Sequence, residues 1–548
     1  MIGAMALATS QSIRDPEPGL SDEFERLANR PLSETEHAVL VQVGAGHSLW
    51  TEGLRPESLA LLAISLSQAK NKRVLFVSAD ADLLLQRQHR FGARAATQLL
   101  PEQGPLRVAP GSGTFFCSAL GLLNPQLVTS FASQPPDLIF VEHAHAVTPL
   151  SFEYRPSLEL LSKVRATLGN PTFVASAAHS SPEVRDEARA RWGLTDGRLL
   201  AEPLYGLSLQ VLPESAHRST AELVAPLPRP ALILCATPAQ ADAVYAELIA
   251  EQLPCHRYHA GLSARERATE LLQFALPGRR AILVATSSFG PSSGLAGEND
   301  GRFPEDFGRG YARGDLRSLV HVGMPSSLEQ YGQELGLLKA QNADAGPGYA
   351  VAIFGKEHSF VTSALLDRKR PCPDTLSSVI VQLKGLARGS WLSERTLVET
   401  LGGSERAVRL VLRFLKDAGA VETATEGSQV AVRGLSLGAL KKVEKELGRA
   451  FGLLREHDQL RSARLTEFAE ATGCRLAAFQ LALGQEPQGV CGRCDFCDPT
   501  MRVEGGSRLS RERAPQRRPN AEHFGTSADS REGPLDFDDE ETAYALDA

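Results

Sequence analysis

The sequence predicts an α/β protein built from two parallel-sheet lobes, with smaller helix-rich modules after them. Three observations carry this expectation. Apolar strand-like runs alternate with helical patterns over roughly the first 365 residues. A proline-rich stretch near residues 202–230, without a clear helical period, divides those runs into two groups. Beyond about residue 365 the pattern changes to paired helices, a hairpin and a cluster of cysteines.

In the first group the expected strands are AVLVQV (38–43), RVLFVSA (73–79), DLIFVEHA (137–144) and PTFVASAA (171–178). In the second they are ALILCAT (231–237), AILVATS (281–287), SLVHVG (318–323) and YAVAIFG (349–355). Each is short, apolar and flanked by a helical pattern, as strands buried on both faces of a parallel sheet should be. After them, residues 389–434 read as a helix following Ser393, a turn at Gly402 and Gly403, and a second helix capped by Ser404 that runs to about Ala418. A hairpin over 420–434 completes a winged-helix order. On its second helix Arg406, Arg409 and Arg413 recur at spacings of three and four, opposite Val408, Leu412 and Leu415. That arrangement predicts a basic stripe for phosphate contact, or simply a solvated face.

The domain boundaries that follow are an N-terminal tail (1–30), a first lobe (31–205), a second lobe (206–365), a winged-helix-like module (366–435), a small helical zinc-binding module (436–500) and a disordered tail (501–548). A chain of 548 residues with 43% hydrophobic content has room for several cores. No apolar run is long enough for a membrane span, and the N-terminal segment lacks a basic region before its apolar residues, so a cytoplasmic protein without membrane contact is expected. The net charge of −7 places any DNA contact on local basic patches rather than on the field of the whole molecule. The tail turns from Arg-rich to acidic and carries Phe537, Tyr544 and Leu546, which suit a protein partner or mere solubility.

Of eight cysteines, Cys117, Cys235, Cys255 and Cys372 are scattered and read as structural thiols. Cys474, Cys491, Cys494 and Cys497 form a C-x16-C-x2-C-x2-C pattern that can bring four thiolates around one tetrahedral ion. Zinc is the expected metal, with an iron–sulfur cluster as chemical competitor and free thiols or disulfides as the plain alternative. Near the N-terminus, VGAGHS (43–48) looks like half of a phosphate-cradling loop. Gly44, Gly46 and Ser48 occupy suitable places, but His47 stands where G-x-x-x-x-G-K-[ST] needs lysine, and Val41 replaces the first glycine. An ordinary glycine turn explains the segment equally well.

Five segments in order, 140–161, 255–274, 282–290, 324–336 and 474–497, resemble the RecQ family of DNA helicases. The YHAGLS stretch and the cysteine constellation are the most specific. This resemblance implies two RecA-like lobes that hydrolyse ATP while moving 3′ to 5′ along one DNA strand, together with a winged helix and a zinc module. Here the hairpin module precedes the cysteines, whereas well-known members place their winged helix after them. The family's catalytic residues carry over poorly. Its D-E-A-H box corresponds to Glu142, His143, Ala144 and His145; Glu142 retains an acid for a metal, but His143 is no anionic base. In the aromatic-rich loop Leu150 stands for a tryptophan, while Phe152, Tyr154 and Arg155 remain as expected DNA contacts. The motif joining the lobes corresponds to SAAH (176–179). In the second lobe Gly294 replaces an acid before a glycine-rich insertion (295–314), and Leu337 and Ala340 occupy two arginine-finger positions. Each finger is worth about 10³ to 10⁵ in rate.

The resemblance and its losses predict a DNA-binding pseudohelicase of recombination or repair, acting on single strands or junctions, with zinc as cofactor. ATP and magnesium belong to the alternative, an active 3′ to 5′ helicase with an unusual site. A platform for protein contacts alone is the third possibility. Recruitment of His47, His143, His145 and His179 into a metal site of their own is a further alternative to decay of the ATPase.

Overall fold

The computed structural model describes residues 19–499, apart from 55–56, 80, 93–94, 152, 178, 195–196, 203–205, 277–280, 287–315, 339–347, 356–371, 387–389, 403–404, 427–428, 435 and 488. The glycine-rich insertion with Gly294, Phe152, Ala340 and the C-terminal tail lie outside the described residues.

The first lobe runs α1 (Leu20–Ala28), α2 (Glu34–Gly44), β1 (Leu49–Glu52), α3 (Ser58–Ala69), β2 (Arg73–Ser78), α4 (Ala81–Gly92), β3 (Thr97–Leu99), β4 (Gly113–Ser118), α5 (Leu127–Ser130), β5 (Leu138–Val141), α6 (Leu160–Thr167), β6 (Thr172–Ala177), α7 (Pro182–Arg191) and β7 (Arg198–Ala201). Its seven strands lie in the order β3-β4-β2-β5-β6-β1-β7, every pairing parallel. Alternate residues of the central strands enter opposite cores: Leu75, Val77, Ile139 and Val141 on one face, Val74, Phe76, Leu138 and Phe140 on the other. Burial on both faces is why these strands are uniformly apolar.

The expected first strand is a helix. AVLVQV falls within α2, because Ser33 accepts the Glu36 amide while the Glu36 side chain returns to the Ser33 amide. This reciprocal cap starts a helix at residue 34, and Val39, Leu40 and Val43 then share one buried face. Part of the expected N-terminal tail is also packed: Leu20, Phe24 and Leu27 of α1 are buried in the same core as α3.

The second lobe contains β8 (Leu207–Pro213), α8 (Thr220–Val224), β9 (Ala231–Cys235), α9 (Pro238–Ala250), β10 (Cys255–Tyr258), α10 (Ala264–Ala275), β11 (Ile282–Thr286), β12 (Ser318–Val322), α11 (Leu328–Leu335) and β13 (Gly348–Phe354). Its six strands are also parallel, in the order β10-β11-β9-β12-β13-β8. The proline-rich stretch near 202–230 that divides the two groups of strands thus supplies an edge strand, β8, and a short helix, α8. Its prolines bound these elements rather than preventing them.

The remaining elements are α12 (Pro373–Gly385), β14 (Leu392–Ser393), α13 (Glu394–Leu401), α14 (Glu405–Asp417), β15 (Val421–Glu426), β16 (Gln429–Gly434), α15 (Leu437–Glu470) and α16 (Arg475–Ala482). The three short strands make an antiparallel sheet in the order β14-β16-β15. Helix α15 begins just after the expected boundary at 435–436, yet its packing is divided between two cores. Its first half, with Leu440, Val443, Leu447 and Leu454, packs in the core of α12 and α14, whereas Leu465 and Phe468 belong to the core of the second lobe with α16. Among the described residues no helix is long and apolar enough to cross a membrane.

Candidate functional site

In an open parallel sheet, ligands bind beyond the carboxyl ends of the strands. The segment VGAGHS is at the other end. Gly44 closes α2, the His47 amide bonds to Gln42 O at 3.0 Å, and Ser48 Oγ accepts the Phe173 amide at 3.0 Å, all before β1 begins. Gly44, Gly46, His47 and Ser48 therefore close a helix at the amino edge of the sheet, remote from the place their motif reading requires. The strand-to-helix connection at the carboxyl edge is residues 53–57, between β1 and α3. Where a phosphate loop ends in lysine and serine, this connection ends in Glu57 and Ser58. The cation is thus replaced by an acid.

The groups around this edge are already paired with one another. Ser58 is fully buried, donates its hydroxyl to Glu36 and accepts from Arg30 at 3.2 Å; Arg30 also holds Glu36 through bonds of 2.5 and 2.7 Å. Burial alone would raise the Glu36 carboxyl, but Arg30 and the Ser33 amide outweigh it and hold it below the usual range. At the end of β1, Glu52 is fully buried and accepts from Arg185 at 2.9 Å and from the Trp50 indole at 3.2 Å. Next to it Gly53 has φ 68°, and a Cβ there would lie 2.6 Å from the His179 ring, so only glycine fits.

Beyond β5, Glu142 forms a two-pronged pair with Arg87 at 2.7 and 2.8 Å and accepts from Ser78 at 3.0 Å. Both charged partners are buried. Desolvation pushes the Glu142 carboxyl up, but Arg87 prevails and the net shift is downward. His143 adopts φ 54° and ψ 41°, and buried His145 meets Glu153 at 2.7 Å. The suggested histidine site does not form: His47 lies at the opposite edge, His145 is bonded to Glu153 and His179 packs on Gly53. Among the described residues the cysteine set is the single group of three or more such side chains placed to hold an ion.

The four sulfurs of Cys474, Cys491, Cys494 and Cys497 lie within 4.8 Å of one another. Thiolates about 2.3 Å from one tetrahedral ion sit about 3.8 Å apart, so the set fits such an ion. Backbone amides point at the sulfurs: those of Arg475 and Cys497 at Cys494 Sγ, both 3.4 Å, and that of Cys491 at Cys474 Sγ, 3.3 Å. Burial opposes ionisation of Cys474, yet the amides of Ala477 and Cys491 bring it down to about 7. Around the cluster, Asp495 donates its amide to Leu209 O at 3.1 Å and Ser208 Oγ donates to Arg493 O at 2.8 Å, joining the module to β8. On the other side Arg185 donates to Leu483 O at 3.1 Å, so the same module also touches the first lobe.

No family model matches the chain. Curated relatives do. The "Probable ATP-dependent DNA helicase RecS" of Bacillus subtilis is 21% identical over 364 residues, 65% of this chain and 67% of that protein. The "ATP-dependent DNA helicase RecQ" of the same organism is 26% identical over 238 residues, 42% of this chain and 36% of the relative. The mouse "Bifunctional 3'-5' exonuclease/ATP-dependent helicase WRN" is 26% identical over 235 residues, 40% of this chain. The chain is thus similar to RecQ-type DNA helicases over part of its length. It spans only 15% of the length of mouse WRN. Among solved structures, the DUF1998 helicase MrfA bound to DNA overlaps 78% of this chain, and 64% of its own, at 13% identity and a TM-score of 0.44.

At the RecQ-like positions of the second lobe, Leu337 lies in a 3-10 turn after α11 and packs against the core, with no cation to offer. Of the expected DNA contacts of the first lobe, the two that are described, Tyr154 and Arg155, are engaged within the protein. Tyr154 is buried, donates its hydroxyl to Glu159 at 2.9 Å and lies 6.1 Å from the Phe414 ring of α14. Arg155 pairs with Asp417 at 3.3 Å. Arg413 is turned into the same contact, where burial and the neighbouring Arg155 bring its guanidinium down to about 10. Arg409 is bonded to Glu394 at 2.5 Å and to Glu405 at 2.8 Å. The side chain of Arg406 lies outside the described residues. Of the expected basic stripe, Arg413 is turned toward the first lobe while Arg409 stays exposed but ion-paired, and helical period alone cannot tell which neighbour covers a face.

Asp417 offsets two arginines in this contact. Replacing it with asparagine should destabilise the protein by about 2 kcal/mol in chemical denaturation. An unchanged midpoint would mean that solvent already screens the contact.

Sequence reasoning missed Arg30, Glu36, Glu52, Glu57, Ser58, Arg87 and Arg185. One signal was available: Ser33 and Glu36 have capping-box spacing, which starts a helix at 34 and moves the strand-to-helix loop downstream.

Proposed function

We propose that this RecQ-like chain is a DNA-binding scaffold of recombination or repair that has lost ATP hydrolysis. The observation that carries the reading is the buried Glu142–Arg87 pair. Magnesium needs the carboxylate oxygens that Arg87 now occupies, and taking them would break a buried two-pronged ion pair. Glu57 at the lysine position, Ser58 held by Glu36 and Arg30, and Leu337 at an arginine-finger position point the same way. An active helicase would need all of these rearranged.

DNA binding is inferred from the relatives, which are named DNA helicases, and from the α12–β16 module, whose order of helix, strand, two helices and two strands we read as a winged helix. The four cysteines are assigned to a structural zinc ion, which would hold the module together between the lobes. The acidic C-terminal segment is a candidate contact for a partner protein. Fluorescence anisotropy with labelled single-stranded DNA tests the reading. Binding at low salt with an affinity that Mg·ATP leaves unchanged is expected. Absence of binding would overturn the DNA assignment, and an affinity that follows the nucleotide would overturn the loss of coupling.

A further inference from the structure

Arg413 of α14 faces the first lobe and Arg409 is ion-paired, whereas the first half of α15 carries a second basic row. Lys441, Lys445 and Arg449 recur every four residues; six residues further on Arg455 lies at the edge of the same side of the helix, where Glu456 is an exposed acid near the row. All four are exposed, on the side away from buried Val443, Leu447, Ala450 and Leu454. Lys442 pairs with Glu446, and Glu444 with Lys384, whereas these four have no ion-pair partner among the described residues. In a chain of net charge −7, an unpaired cationic row on one helix is a local feature rather than a reflection of composition.

Two glycines lie on the same face. Gly448 and Gly452 sit within the helix, and a Cβ at either would meet nothing within 4 Å. Neither has a positive φ. Glycine inside a helix is unfavourable, and here neither packing nor backbone conformation asks for it. What the two residues do is leave a bare strip of backbone between Lys445 and Arg455. A polyanionic backbone can lie along that strip with cations at both ends.

We propose that this face of α15 is the docking surface for the phosphate backbone of DNA. The inference rests on the DNA-binding reading above and names the surface that would carry it. Contacts would be to phosphates, so binding should be salt-sensitive and indifferent to base sequence.

The test uses the full chain and labelled single-stranded DNA of mixed sequence in anisotropy titrations over a range of salt. The variants are K441A/K445A/R449A, in which exposed unpaired side chains are truncated, and Gly448→Glu, which places an acid in the row without a steric conflict. Both should keep the thermal midpoint of the parent. The triple variant should bind at least about tenfold more weakly, and its slope of log K against log salt should shrink by about 2, at about 0.7 for each phosphate no longer neutralised. Gly448→Glu should also weaken binding. R409A, on the docked helix, should bind as the parent does. Parent binding with unchanged affinity and slope in both variants would overturn this surface while leaving the DNA assignment standing. A parent that binds no DNA at low salt would overturn both.

Discussion

Replacing Arg87 with alanine should cost about 3–5 kcal/mol of folding stability at neutral pH, because Glu142 would be left charged and buried without its partner. Both side chains are buried, and the pair is two-pronged. Its pH dependence has a definite sign. In the parent the Glu142 carboxyl lies below the ordinary glutamate value of about 4.3. The stability it contributes is therefore present above that value and lost as pH falls through the lower, folded value. In the variant the largest influence opposing burial is gone, only Ser78 and His143 still favour the charged form, and the carboxyl should rise, so the penalty is greatest at neutral pH and fades on acidification. The gap between parent and variant, read from urea midpoints, should narrow from pH 7 toward pH 4.5. A gap below about 1 kcal/mol at pH 7 would show that water reaches Glu142, and with it that a metal could.

Cys494→Ser should strip the metal from the protein, from about one ion per chain to near none, since one serine hydroxyl does not replace the fourth thiolate. Elemental analysis of parent and variant reads this directly, and the element found decides between zinc and iron. The structural effect should extend beyond the cluster. Asp495 and Arg493 hold β8 of the second lobe, and Leu483 is held by Arg185 of the first. Hydrogen exchange in the variant should therefore speed at β8, where the Val211 amide now donates to Asp495 at 3.3 Å. Unchanged metal content would contradict the four-cysteine site. Metal loss with β8 still protected would confine the cluster to a local role.

The parallel sheets were legible because their central strands are buried on both faces and so read as unbroken apolar runs, as in LIFV of β5. The cysteines were legible because their ligand spacing is local. β1 was not: LWTE is four residues long, and its glutamate is internal only because Arg185, 133 residues away, meets it. AVLVQV misled because an apolar run without polar alternation suits a strand and a buried helix face alike, and only the cap at Ser33 separates them. The arginines that occupy the nucleotide edge left no trace in any motif, since Arg87 finds Glu142 across 55 residues. On α14, periodicity defined a face for Arg413 correctly, but the first lobe's Tyr154 and Arg155 decide what lies against it.

The most direct measurement is steady-state ATP hydrolysis by the full chain with magnesium and saturating single-stranded DNA. With Glu142, Ser58 and Glu52 already engaged by Arg87, Arg30 and Arg185, no DNA-stimulated turnover above the protein-free rate is predicted. Turnover of about one per second or faster, abolished by Glu142→Gln, would contradict the account.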